Sequence, residues 1–189
     1  TIWTEKQKLI LYDGDEEDYF GHSVGISGDY AIVGVYGADD DGYNSGAAYI
    51  YSWNGTNWVE WQYLLPDSVS AYDSFGKSVD ISDTHAIIDV VDNHGENQRA
   101  SYIFNRNETA WTEQQIIIAS DPYLSNEVDS NVSISGDFAI IGAPYNNTNG
   151  NGSGSAYIFH WDGSSWTEQM KLTASDNAED DCFGIGVCI

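Results

Sequence analysis

Asp39, Asp40 and Asp41 stand in a row before Gly42, Tyr43 and Asn44, so that a run of oxygen ligands surrounds a flexible glycine. A calcium ion takes about six to eight oxygens from a loop that can fold round it. Asp39, Asp41 and Asn44 are therefore the expected ligands of a weak calcium site. Asp13, Asp15 and Asp18, beside Glu16 and Glu17, form a second acidic loop of the same kind. Both loops have a competing account as solvated acidic turns. For the second, an acid recurs before later repeats at Asp73 and Asp181, which also fits turn chemistry.

Other residue types define modification and assembly rather than catalysis. Asn54, Asn107, Asn131, Asn146 and Asn151 each begin an Asn-x-Ser/Thr triplet, the acceptor pattern for N-linked sugar. Asn54 and Asn107 fall in predicted turns, Asn146 and Asn151 in a glycine-rich loop, and Asn131 within a predicted strand. The first four are the expected glycosylation sites, and plain turn chemistry is the competing account. His22, His85, His94 and His160 share no common position, and no nucleophile, base and orienting group recur together. The expected function is non-enzymatic. Cys182 and Cys188 are expected as free thiols or as contacts at an assembly junction.

What positions these residues is a repeat. Phe20-Gly21 opens a stretch in which Val24 and Ile26 alternate with small residues, Gly28-Asp29 turns the chain, and residues 31–34 return as Ala-Ile-Val-Gly. Phe75-Gly76, Asn131-Val132 and Phe183-Gly184 restart the same pattern. Trp3, Trp58, Trp111 and Trp166, three of them followed by Thr-Glu and Trp58 by Val-Glu, fall 55, 53 and 55 residues apart. Tyr49-Ile50, Tyr102-Ile103 and Tyr157-Ile158 run in step with them. Each period reads as four antiparallel strands, and no helical periodicity competes. The fold class is all-β, with β-propeller-type four-stranded blades at about 20–65, 75–118 and 128–172 in one domain, residues 1–189. Partial strands are expected at 1–11, as an outer strand, and at 183–189, as an inner one. The small residues of the first strand fit a central axis, and the large ones of the fourth fit an outer rim.

Composition narrows the partners. Thirty acids against six Lys and Arg give a formal charge of −24. Such a field repels nucleic-acid phosphate and anionic lipid, and it favours divalent cations, basic partners or a salty medium. No apolar run approaches the roughly 18 residues of a membrane span, so membrane insertion is not expected. The chain opens on Thr1 without a signal-peptide pattern, as expected of a processed product or of a segment of something longer.

On its recurring Phe-Gly pairs (Phe20-Gly21, Phe75-Gly76, Phe183-Gly184) and on Gly142-Ala143-Pro144, the chain resembles the FG-GAP repeat proteins, which include the propeller heads of integrin alpha subunits. Gly34-Val35-Tyr36 is a looser copy. Asp89-Val90-Val91 and Val128-Asp129 depart from the pattern, and local distortion is expected in those blades. The resemblance implies an extracellular or surface location and a role in binding ligands or proteins. The calcium loop that many such repeats carry between their first two strands is replaced here by the short Ser-Gly-Asp turn, so its sites do not transfer. The expected function is a structural or adhesion module. A ligand-binding receptor head and an accessory domain of a secreted enzyme are the alternatives.

Strand counting adds an expectation about assembly. Closed propellers use about four to eight blades, so three blades cannot close a ring. Either further repeats continue the chain or copies associate head to tail, and association that does not close gives a filament. The terminal strands, with Cys182 or Cys188, would sit at that junction.

Overall fold

The computed structural model describes residues 2–12, 14–91, 100–121 and 131–189. Among them are twelve strands and no helix. β1 (Val24–Ser27), β2 (Tyr30–Val35), β3 (Ala47–Trp53) and β4 (Trp58–Leu64) form one antiparallel meander. β5 (Val79–Ile81), β6 (His85–Val90), β7 (Ala100–Arg106) and β8 (Trp111–Ile117) form the second. β9 (Val132–Ser135), β10 (Phe138–Ala143), β11 (Ser155–Trp161) and β12 (Trp166–Leu172) form the third. All three carry the same register shift between the third and fourth strands, at Ile50/Tyr51, Ile103/Phe104 and Ile158/Phe159. The first strands of successive blades touch, whereas the outer strands spread apart. Three blades fan about a common side, and the sheets do not close into a ring among the described residues.

Strand alternation explains the layering. Side chains of successive residues point to opposite faces, so each blade presents one apolar set forward and another backward. Ile32, Ala48, Ile50 and Leu64 pack forward against Phe75, Val79, Ile88, Tyr102 and Trp111 of the second blade. Ile87, Ile103 and Ile117 pack against Val132, Ile134, Tyr157 and Trp166 of the third. The back of the first blade, with Val33, Val35, Tyr49 and Tyr51, is covered by Leu9, Leu11 and Phe20.

Two devices join neighbouring blades. The first is the Phe-Gly pair, which lies in a turn rather than in the first strand. Phe75 bridges Gly46, and Phe183 bridges Gly154, in parallel. Gly76 takes φ +90°, a left-handed backbone that favours glycine. The second is a glutamine clasp. The Gln62 side chain accepts from the Trp111 amide and donates to its carbonyl, both at 2.7 Å. Gln115 does the same to Trp166, and Gln7 to Trp58. An amide side chain thus imitates a strand pair where the outer strands are too far apart to pair directly.

Four expectations need correction. Residues 2–11 form no ladder strand; they are held through the Gln7 clasp and the apolar contacts of Leu9 and Leu11. Residues 183–189 form no strand either: Cys182 and Gly184 have φ of +54° and +90°, and the Ile185 amide turns back to the Cys182 carbonyl. Cys182 and Cys188 are free thiols and do not share an extended strand. The second blade is not distorted in its described strands, although Asp89 replaces a glycine there. Val128 and Asp129 lie outside the described residues.

Candidate functional site

Asp39 is the organiser of its own loop. Its Oδ1 accepts the Asn44 amide at 2.6 Å, and its carbonyl accepts the Gly42 amide at 3.1 Å. Ser45, fully buried, donates its hydroxyl to the Ala38 carbonyl and accepts the Asp41 amide. The carboxylate at Asp39 is therefore committed to a turn. In the third blade Asn147 does the same work, accepting the Gly152 amide at 2.6 Å without a charge.

The second acidic loop follows the capping account. Asp18 accepts the Asp15 amide at 2.7 Å, Asp73 that of Ser70 at 2.8 Å, and Asp181 that of Ala178 at 2.6 Å. One turn recurs before each Phe-Gly pair, which is why an acid recurs there. Asp13 lies outside the described residues, as do Asp92, Asn93 and Glu96, which stand in the second repeat where the Asp39 loop stands in the first.

The tertiary structure brings these two loops together. Asp15, Asp18, Asp39 and Asp40 line one cavity of about 220 Å³ with Leu11, Ala38 and Tyr49. Burial raises the Asp18 carboxyl above its ordinary range, and the charges of Asp15, Asp39 and Asp40 push the same way. Beside it opens a groove of about 770 Å³, lined by Tyr12, Asp40, Asp41, Tyr49, Glu60, Tyr63 and Leu65. The Tyr63 hydroxyl donates to Asp40 Oδ2 at 2.9 Å, and burial with that bond raises its pKa. Tyr49 and Tyr63 face each other across β3 and β4, with ring centroids 5.2 Å apart. Sequence reasoning missed Asp40, Glu60 and both tyrosines as site residues. Their signal was the strand alternation, which puts residues 49 and 63 on one face. Among the described residues, no three His, Cys, Asp or Glu side chains converge as a metal cluster.

The third blade builds its corresponding region from neutral groups and one ion pair. Lys171 Nζ lies 2.6 Å from Asp121 Oδ2 and donates to Thr148 Oγ1 at 2.9 Å. Tyr157 donates to the other Asp121 oxygen. Burial pushes the Asp121 carboxyl up, but hydrogen bonds from Lys171, Tyr157 and Thr148 outweigh it and hold the pKa at about 2. Asn146 is 2% exposed, and its amide nitrogen donates to the Tyr157 hydroxyl and the Asp121 carbonyl. A sugar at Asn146 would have to displace these bonds, whereas the other three expected positions need no such change. Asn131 precedes β9 rather than lying within it, and its amide is bonded to the Ile185 carbonyl. Asn54, Asn107 and Asn151 are exposed. Asn54 and Asn107 accept amides of their own turns through Oδ1, as Asp162 does in the third blade.

His85 is the one buried imidazole among the described residues. It packs edge-on against Trp166 at 5.3 Å and against Trp161 at 6.2 Å, with Thr84 and Asn105 at its nitrogens. Burial lowers its pKa, and the Asp137 charge opposes this. A lowered histidine pKa makes the fold hold fewer protons than the unfolded chain. Stability is then fully present above the unfolded value of about 6.5 and is lost as pH falls through it. Between pH 7.5 and 5.5 the melting temperature of the native chain should fall more than that of His85→Phe, the residue Phe138 supplies in the third blade. Parallel pH profiles of the two proteins measured by calorimetry would refute this.

The comparisons agree with this architecture. No curated protein resembles the chain closely enough to count as a relative. The model of the FG-GAP repeat matches residues 3–51, 58–104, 111–159 and 166–189. Each match opens on the tryptophan that begins a clasped outer strand or, at Trp3, its counterpart in the leading segment. The matched frame therefore spans one blade's outer strand and the next blade's inner three. With four repeats matched across nearly all its length, the chain belongs to the FG-GAP repeat family.

Proposed function

We propose that this chain is a non-enzymatic, extracellular structural and adhesion module whose blades are extended by further repeats or by copies of itself. The observation that carries this reading is the uneven cover of equivalent residues. Tyr30 packs on Trp111, and His85 on Trp166, each across a blade junction. Phe138, the third member of that series, is 45% exposed, and Met170, at the clasp position of Gln62 and Gln115, is 55% exposed. Apolar surface of that kind invites cover, because burying it stabilises the assembly by about 25 cal/mol per Å². Light scattering after gel filtration tests the idea. The expected mass exceeds 20.8 kDa and rises with concentration, and Phe138→Ser with Met170→Ser returns it to the monomer. A native chain that stays monomeric at every concentration would end the self-association arm.

Calcium belongs to this reading as a weak ligand at Asp39, Asp41 and Asn44 and, separately, at Asp13, Asp15 and Asp18; binding would require the loops to rearrange, since among the described residues no three carboxylates converge. Extracellular modules hold calcium at roughly 10⁻⁴–10⁻³ M. Calorimetry on chelator-treated protein should show heat in that range, together with a raised melting temperature. Silence in both measurements would leave the loops as turn-forming carboxylates. The groove beside Tyr63 favours a second reading, a ligand-binding head.

A further inference from the structure

The first and third blades share one frame, because Trp58 and Trp166 open the same strand. Tyr49 corresponds to Tyr157, Tyr63 to Lys171, Asp40 to Thr148 and Glu60 to Glu168. The cross-strand pairs Tyr49–Tyr63 and Tyr157–Lys171 confirm the register. In the third blade this frame holds an ammonium. Lys171 Nζ donates to Asp121 at 2.6 Å and to Thr148 at 2.9 Å, reaches Asn146 Oδ1 at 3.4 Å, and stands 5.6 Å over the Tyr157 ring. Glu168 is capped by the Ser120 amide and hydroxyl, both at 2.8 Å.

The first blade keeps the ring as Tyr49 and one acid as Glu60 and adds Asp40, while the counterpart of Asp121 is Asp13, outside the described residues. Tyr63 stands where Lys171 would be, Asp40 replaces the neutral threonine, and Tyr12 replaces the serine that caps Glu168. Asp40, Asp41 and Glu60 line the groove, and among the described residues no Lys, Arg or His does. We infer that the groove walled by Tyr12, Tyr49 and Tyr63 receives the ammonium of a lysine side chain carried by another protein. An ammonium needs a few oxygen acceptors and profits from an aromatic face. Calcium needs a converging oxygen cage, and among the described residues no three carboxylates converge here. The groove, at about 770 Å³, is far larger than an amine head group. Tyr12 and Leu65 supply apolar wall for a methylene stem and the chain bearing it. The site stands whether or not the module self-associates.

The test is an amide-shift titration of the whole chain with Nα-acetyl-lysine methylamide. Its Nε-acetylated form, the free diamine cadaverine and calcium chloride are run beside it. Saturable shifts should centre on Asp40, Asp41, Glu60 and Tyr63, with the lysine probe at least tenfold tighter than the acetylated one and no weaker than cadaverine. Tyr63→Lys should remove the binding by filling the groove as Lys171 fills its own. Asp40→Asn should weaken it by tenfold or more, and this variant serves if the first misfolds. Equal binding of the acetylated probe overturns the proposal. So do shifts scattered over the whole acidic surface, retained binding in both variants, or calcium shifting these residues while the lysine probe does not. Cadaverine binding tenfold more tightly than the lysine probe overturns the side-chain source.

Discussion

Gly34→Ala should cost the fold about 3 kcal/mol or more, a large effect for a single methyl group. A Cβ at Gly34 would lie 2.0 Å from the Gly76 carbonyl oxygen, which is backbone and cannot swing aside. Gly142 meets the Gly184 carbonyl at the same 2.0 Å, so the constraint belongs to the junction and not to one blade. Relief would require the Phe-Gly turn to lift off, breaking the Phe75–Gly46 bridge and uncovering the fully buried Phe75 ring. The counterpart in the second blade is Asp89, buried and bonded to Ser101, and the repeat that follows carries Val128-Asp129 instead of Phe-Gly. A residue larger than glycine stands in the one blade whose successor lacks the approaching pair. Chemical denaturation of Gly34→Ala, with Gly55→Ala as comparison, measures the effect. Gly55 has open space around its Cβ, so only its left-handed φ of +93° is penalised there. Equal losses in the two variants would show that the close approach at Gly34 costs no more than a left-handed φ does at Gly55.

Trp111→Ala should destabilise the chain by about 3–5 kcal/mol, whereas Trp3→Ala should change little. Both tryptophans begin the same repeat motif. Trp111 is 1% exposed, wedged in the core between the first two blades with the Tyr30 ring 6.0 Å away. Its backbone is clasped by Gln62. Removing the indole leaves a cavity at that junction and loosens the clasp. Trp3 is 97% exposed. Denaturant midpoints of the two variants give the contrast directly. A loss at Trp3 comparable with that at Trp111 would mean that the leading segment is covered in solution, by another copy or by its own chain.

The repeat itself was legible because alternating apolar residues, a Gly-Asp turn and an Asn-Gly turn each prescribe local backbone, and three markers kept one period. Local backbone chemistry acts over a few residues, and sequence displays it directly. The strands at Tyr30–Val35, Ala47–Trp53 and Trp58–Leu64 follow from that alone. The end segments were misread because alternation at residues 3–9 and 183–187 is necessary for a strand but not sufficient. A strand also needs a partner edge, and only the packed blades decide whether one is within reach.

The acidic residues divide in the same way. That Asp39 and Asp18 sit in turns was readable from their neighbours. That the two loops share one cavity was not, because Leu11 and Tyr49, which bring them together, belong to segments far apart in sequence. Nor could the sequence alone show that Asn146 is buried while Asn54 is exposed, since both occupy loops of similar composition. The sequence determined the period, the strands and the sign of the charge, all of which are local or additive. Only the tertiary structure decided which carboxylates face one another, which tryptophan is covered and which glycine cannot carry a methyl group. Those depend on distances between blades, and no residue sets such a distance by itself.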